Sequence, residues 1–197
     1  MVRTNWTKID PDFSPLSEMR NLKIRMITED IKFEVADNLC DLYSEQLKFI
    51  IEQYPNAIIT GSLALNLYGL IYRDMSDLDL IVDRRPAGPF HKNRYGDENI
   101  ETTSVRLGYQ YITENFKWQN LFRKRKTYQV DHFLDTDNKV KYNTFTFKGL
   151  SLKIQDPIQI AEQKIEMVNN ADNYQYRAKQ KHNIDLFVMF KNINWEV

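Results

Sequence analysis

The sequence predicts a mixed α/β fold of the α+β kind: a mixed β-sheet flanked by helices, with further helices at the C-terminus. Three observations carry this. Apolar residues recur at helical spacing from Ile31 to Ile51, the pattern of an amphipathic helix. Short β-branched runs follow at residues 57–60 and 78–82, too short for helices and rich in strand formers. Asp156-Pro157 then opens a second helical stretch, with Asp as N-cap and Pro at the first helical position.

Residues 1–27 carry Pro11 and Pro15 and read as an N-terminal arm with one helical turn. From Thr28 the stripe is Ile31, Val35, Leu39, Leu42, Leu47, Ile50 and Ile51. Thr28 reads as its cap, Glu29 and Asp30 suit a helix N-terminus, and Pro55 ends it. The run Ala57-Ile58-Ile59-Thr60 reads as a strand. After Gly61-Ser62, Leu63 to Tyr68 reads as a short helix closed by Gly69, a residue suited to a helix C-terminus. Leu78, Leu80, Ile81 and Val82 make a second strand around Asp77 and Asp79.

Residues 83–103 hold Arg84, Arg85, Pro86, Gly88, Pro89 and Gly96, a turn-rich loop over one face. Residues 104–134 read as two or three strands, with 128–134 the clearest. Tyr142 to Phe147 and Leu150 to Ile154, joined through Lys148-Gly149, read as a hairpin. The helix after Pro157 has the stripe Ile158, Ala161, Ile165 and Val168, and a last helix covers about residues 174–191. The expected division is an arm (1–27), a core (28–155) and a C-terminal helical extension (156–197). The chain shows no repeat and no low-complexity tract.

Of the 197 residues, 42% are hydrophobic and 13% aromatic, enough to bury a core. The 27 basic and 27 acidic residues cancel. That argues against a dedicated duplex-DNA binder, which usually carries a basic excess, and leaves room for a local basic groove. The single cysteine, Cys40, reads as a core thiol, since no Cys/His cluster has zinc spacing. The N-terminus has no apolar run for a signal peptide, and no stretch is apolar enough to span a membrane. The expectation is a cytoplasmic protein with no membrane partner. Oligomeric state is open.

The chemistry lies in one ordered constellation. A strand runs into Gly61-Ser62 and a helix; fourteen residues separate Ser62 from Asp77; Asp77-Leu78-Asp79 then opens an apolar strand. Residues i and i+2 of a strand share a face, so Asp77 and Asp79 stand side by side while Leu78 and Leu80 face the core. Two close carboxylates repel, and a divalent cation between them relieves the cost. Mg²⁺ suits such a site, binding through a few carboxylates plus substrate phosphates. Gly61 admits close backbone approach, and the helix start at Ser62 offers free N–H groups to a phosphate. Ser62's hydroxyl can cap that helix or donate to the phosphate. Asp131, between Val130 and Phe133 in a later strand, joins the metal site if its strand neighbours the Asp77–Asp79 strand. Two metals there stabilise the attacking and leaving oxygens of an in-line displacement.

These residues resemble the nucleotidyltransferase superfamily that includes DNA polymerase beta. Ile58-Ile59-Thr60-Gly61-Ser62 through Asp77-Leu78-Asp79-Leu80 is similar to its Gly-Ser, spacer, Asp-hydrophobic-Asp signature, with a slightly longer spacer. Downstream, Asp131, the Gly149 hairpin, Asp156-Pro157 with Lys164, and Arg177, Lys181 and Asp185 resemble the AbiEii-type (abortive-infection toxin) branch, and through it toxin–antitoxin proteins. The resemblance covers roughly residues 57 to 190. It implies catalytic, metal-binding Asp77, Asp79 and Asp131. It also implies two Mg²⁺ ions, with Mn²⁺ as an alternative, and a nucleoside triphosphate donor such as ATP. A nucleoside monophosphate would pass to a hydroxyl on RNA, tRNA or protein. Gly61, Ser62, Lys164, Arg73 and Lys181 would contact the nucleotide, Lys164 meeting the triphosphate.

Each further residue has a bland reading beside the functional one. Lys164 could be a snorkelling surface lysine. Arg177, Lys181 and Asp185, spaced i, i+4 and i+8, could be an exposed salt-bridge row. Arg73 could be a polar turn residue. The run Arg123-Lys124-Arg125-Lys126 reads as a solvated hairpin tip or as a contact to RNA phosphates. Phe116, Trp118, Phe122 and Tyr128 read as core or as base-stacking groups. His132 alternates away from Asp131, and His91 carries no role. Two alternatives stand beside the transferase: a fold that binds without turnover, serving as an antitoxin or scaffold, and an antibiotic nucleotidyltransferase. Asp97, Glu98 and Glu101 are candidate acids for a drug pocket in the latter.

Overall fold

The computed structural model describes residues 8–75, 77–83, 109–118, 126–135, 139–170 and 176–193. In chain order the elements are α1 (Pro15–Glu29), α2 (Asp37–Leu42), α3 (Ser44–Gln53), β1 (Ile58–Ile59), α4 (Gly61–Leu67), β2 (Asp77–Val82), β3 (Tyr109–Trp118), β4 (Lys126–Asp135), β5 (Tyr142–Phe147), β6 (Leu150–Gln155), α5 (Pro157–Asn170) and α6 (Tyr176–Ile193). They fall into two compact units. A helical unit holds residues 1–42, 65–73 and 157–197; a sheet unit holds residues 43–64 and 74–156. Both are discontinuous in sequence, whereas the division into arm, core and extension is contiguous.

In the helical unit, α1 stands where the sequence suggests an arm. Ser14 is its N-cap, accepting the N–H of Ser17, and Pro15 takes the first helical position. Proline there is pre-set for the helix and loses no bond. Asp30, in the left-handed region at φ 51°, ends it. Thr28 therefore caps nothing: it lies in the last turn and donates its hydroxyl to the Ile24 carbonyl at 3.1 Å. The single helix expected up to Pro55 is two shorter ones, α2 and α3, and Ile31 and Val35 lie outside both. Apolar spacing alone does not reveal the break at Tyr43, whose φ of -102° and ψ of 21° interrupt the helix between α2 and α3. α1 buries Met19 and Leu22, pairs Lys23 with Glu162 of α5, and sends Arg25 to the Ile193 carbonyl ending α6. Phe13 meets Phe187 edge-on at 5.1 Å, a favoured aromatic arrangement. Cys40 is buried, its thiol pushed up by burial and by nearby Asp37 and Asp41, in keeping with a core role.

The sheet unit carries six strands in the order β3-β4-β2-β1-β6-β5. β2 pairs with β4, and β1 with β6, in parallel; the remaining neighbours are antiparallel. The sheet is mixed, as expected. The β5–β6 hairpin turns through Lys148 and Gly149, both at positive φ (50° and 78°), the conformation of a type I′ turn.

The registers define the two faces. Leu78, Leu80, Ile59 and Ile154 share one face and are buried to 1% exposure or less. Val130 and His132 pair with Leu78 and Leu80 on that same face. His132, fully buried, meets the ring of Tyr54 at 5.0 Å. The opposite face carries Asp77, Asp79 and Asp131.

Candidate metal centre

Alternation in β2 puts Asp77 and Asp79 on one face, half-buried, while Leu78 and Leu80 fill the core. The parallel pairing with β4 sets Asp131 directly beside Asp79. Asp131 is 5% exposed. One carboxylate oxygen from each of Asp77, Asp79 and Asp131 lies within 4.8 Å of the others. Three negative charges so close repel by about 3 kcal/mol per pair at an effective dielectric near 20. A divalent cation offsets that repulsion. The donor set is all hard oxygen, with no His or Cys among the three, and so fits Mg²⁺ or Mn²⁺ and not a structural zinc.

Gly61 is built into this centre. Its φ is +61°, and a Cβ placed there would lie 1.9 Å from Asp79 Oδ2 and 2.6 Å from Asp79 Cγ. The Thr60 N–H donates to the Asp79 carbonyl at 3.0 Å, and the Thr60 hydroxyl donates to Gln155 Oε1. The turn thus locks onto β2 on one side and β6 on the other. Sequence reasoning assigned Gly61 to close approach by a ligand; the structure shows that its first neighbour is the Asp79 carboxylate. α4 begins at Gly61, and the Thr60 carbonyl accepts the Ala64 N–H at 3.3 Å. Thr60 therefore holds the capping position expected for Ser62, which lies inside the first turn and is buried.

The basic residues named from sequence lie in the helical unit. Arg73 grips Asp185 with both ends of its fork, Nε to Oδ1 at 2.8 Å and Nη2 to Oδ2 at 3.1 Å. Lys164 Nζ donates to Asp185 Oδ2 at 2.9 Å and lies 3.3 Å from His182 Nδ1. Lys164 and Asp185 are 5% and 2% exposed, which sets aside the snorkelling lysine and the exposed salt-bridge row. Burial pushes the Asp185 carboxyl up, but Lys164 and Arg73 outweigh it and hold the group below its ordinary value. His182 is lowered to about 3, first by burial and then by the Lys164 charge. Two cations around one carboxylate leave one net positive charge. Asn66, fully buried, braces Arg73 by accepting its N–H at 3.3 Å and donating to its carbonyl at 3.1 Å.

His182 and Asn66 were missed from sequence. His182 follows Lys181 and is i−3 to Asp185, a helical spacing that could have flagged it. Lys181 is half-buried. Arg177 lies in α6, and its side chain is outside the described residues. His91, Asp97, Glu98, Glu101, Phe122 and residues 123–125 lie outside the described residues.

No family model matches the chain, and no curated protein matches it. Among solved structures, the chain is similar to an antigenic nucleotidyltransferase-like protein from Paracoccidioides brasiliensis, at 14% identity, over 77% of this chain and 76% of that one, with a TM-score of 0.41.

Proposed function

We propose that the chain is a Mg²⁺-dependent nucleotidyltransferase, moving a nucleoside monophosphate from a nucleoside triphosphate onto a hydroxyl. The observation that carries this reading is the convergence of Asp77, Asp79 and Asp131 within 4.8 Å, beneath a glycine turn that a side chain would block. Asp77 and Asp79 on β2 and Asp131 on β4 would hold the metal, which when bound supplies charge neutralisation at transferring phosphoryl oxygens.

Asp131, the most buried of the three, would accept a hydrogen bond from the attacking hydroxyl and orient it in line. The amides that follow Gly61 in the first turn of α4 would receive phosphate oxygens. Thr60, tied to both β2 and β6, keeps that turn rigid. Nucleotide contacts by Ser62, Lys164, Arg73 and Lys181, the two-ion stoichiometry and any kinship with the abortive-infection branch rest on the sequence resemblance.

The test uses radiolabelled ATP, CTP, GTP and UTP with Mg²⁺, total RNA and cell protein. Wild type should label one acceptor class, and EDTA should abolish the label. Asp77→Asn and Asp79→Asn should each cut the rate by more than about 100-fold, since losing an outer-shell partner alone costs roughly 10–100-fold. Undiminished transfer by Asp79→Asn would defeat the assignment.

A further inference from the structure

Gln155 is a polar residue in a place that carbon could fill. It closes β6 and is fully buried. Its neighbour Ile154 pairs with Ile59 on the apolar face, so alternation turns Gln155 to the opposite face, the one that carries Asp79 and Asp131. Thr60, also buried, stands between Gln155 and Asp79. A buried amide costs free energy unless it is bonded, and a leucine would avoid that cost. Gln155 instead accepts the Thr60 hydroxyl at Oε1.

Thr60 is the residue before the glycine turn, and three of its groups are committed. Its N–H donates to the Asp79 carbonyl, and its carbonyl accepts the Ala64 N–H. Any residue except proline could make both bonds. The third bond needs a hydroxyl at position 60 and an acceptor at position 155. Gly61 follows, packed so closely on Asp79 that a Cβ would meet Oδ2 at 1.9 Å. A turn that swings toward β2 presses on this carboxylate, and one that swings away leaves it unsupported. β6 lies on the far side of β1 from β2. The hydroxyl bond to β6 therefore resists the first movement, and the N–H bond to Asp79 resists the second.

We infer that Gln155 is a positioning residue: through the Thr60 hydroxyl it holds Gly61 at the clearance that keeps the Asp79 carboxylate aimed at the cation. It acts through Thr60, and all of these residues belong to the sheet unit. The inference rests on the nucleotidyltransferase reading of the three carboxylates. A bond that served folding alone would stabilise the sheet unit and leave metal affinity unchanged.

The test compares Thr60→Val, which keeps the shape and removes the donor, with Gln155→Leu, which removes the acceptor. Thr60→Ser, which keeps the hydroxyl, and the double variant complete the set. Circular dichroism and urea unfolding establish that each is folded; should Gln155→Leu fail to fold, Thr60→Val reads the same bond. Calorimetry with Mn²⁺, without triphosphate, should give an affinity weaker by roughly 10-fold or more for Thr60→Val and for Gln155→Leu, within the range for outer-shell partners of a metal site. Thr60→Ser should bind nearly as wild type does. The double variant should be no weaker than the worse single variant, as for two ends of one bond. In the transfer assay, the Mg²⁺ concentration giving half-maximal rate should rise by a similar factor, with kcat at saturating Mg²⁺ little changed. Wild-type Mn²⁺ affinity in both single variants would overturn the inference, as would additive losses in the double variant or no recovery in Thr60→Ser. Weakened Mn²⁺ binding in variants of a protein that transfers no nucleotide would sink the transferase reading alone. Transfer by variants with unchanged metal dependence would sink the positioning role alone.

Discussion

Gly61 does two jobs that no other residue can combine. Its φ of +61° costs an L side chain about 1–2 kcal/mol, and the Asp79 carboxylate fills the place of its Cβ. A methyl group at this position must push Asp79 aside or open the turn, so strain and site geometry fail together. Gly61→Ala should destabilise the sheet unit by at least about 1–2 kcal/mol in urea unfolding and weaken Mn²⁺ binding by calorimetry. A variant with wild-type Mn²⁺ affinity would show that Asp79 does not need this clearance. Gly149 provides the contrast: it has positive φ but nothing within 4 Å of its Cβ, so Gly149→Ala should cost backbone strain alone. Asp185 has a similar economy. It compensates two cations 112 and 21 residues away in the chain, and that long reach hides the cluster from spacing arguments.

Among the elements, β2 was the most legible. Its period-2 alternation sets Asp77 and Asp79 against Leu78 and Leu80, and one face is buried, so the register has no freedom. Asp156-Pro157 and Lys148-Gly149 announced their helix and hairpin for equally local reasons. α1 was legible only as an arm with one helical turn, because residues 1–27 are mixed in character; Pro15 in fact takes the first helical position. The stripe from Ile31 to Ile51 concealed a break, because its apolar spacing runs on past Tyr43, where the helix is interrupted. The pairing of β2 with β4 could be stated only as a condition, since strand order is a long-range property. Lys148 shows an element spending stability. At φ 50° a type I′ turn favours asparagine before glycine. Lys148→Asn should stabilise the hairpin in urea unfolding, since asparagine tolerates the left-handed region better than lysine. Equal stability would show that the turn does not penalise lysine at this position.

The chain's zero net charge is the sum of strongly unequal parts: three clustered carboxylates, a lysine-only hairpin, and a buried carboxylate between two cations. Among the described residues, the last ties charge to the stability of the helical unit across ordinary pH. His182 is about 6.5 when unfolded and about 3 when folded, with Lys164, Lys181 and Arg73 disfavouring its proton and Asp185 favouring it. The neutral ring can accept from the Lys164 ammonium at Nδ1, an arrangement a protonated ring would destroy. Below pH 6.5 the unfolded chain binds a proton that the folded chain refuses, so stability is intact above that pH and is lost as pH falls toward 3. Each pH unit in that window costs up to ~1.4 kcal/mol, or about 2 kcal/mol at pH 5. Asp185, lowered from an ordinary carboxylate value, adds its own loss only below about pH 4. Urea unfolding at pH 7 and pH 5 should therefore show a loss of about 2 kcal/mol in wild type that His182→Gln largely removes. Parallel losses in the two proteins would mean that this imidazole is protonated as readily in the fold as in the free chain, and that Lys164 does not oppose its charge.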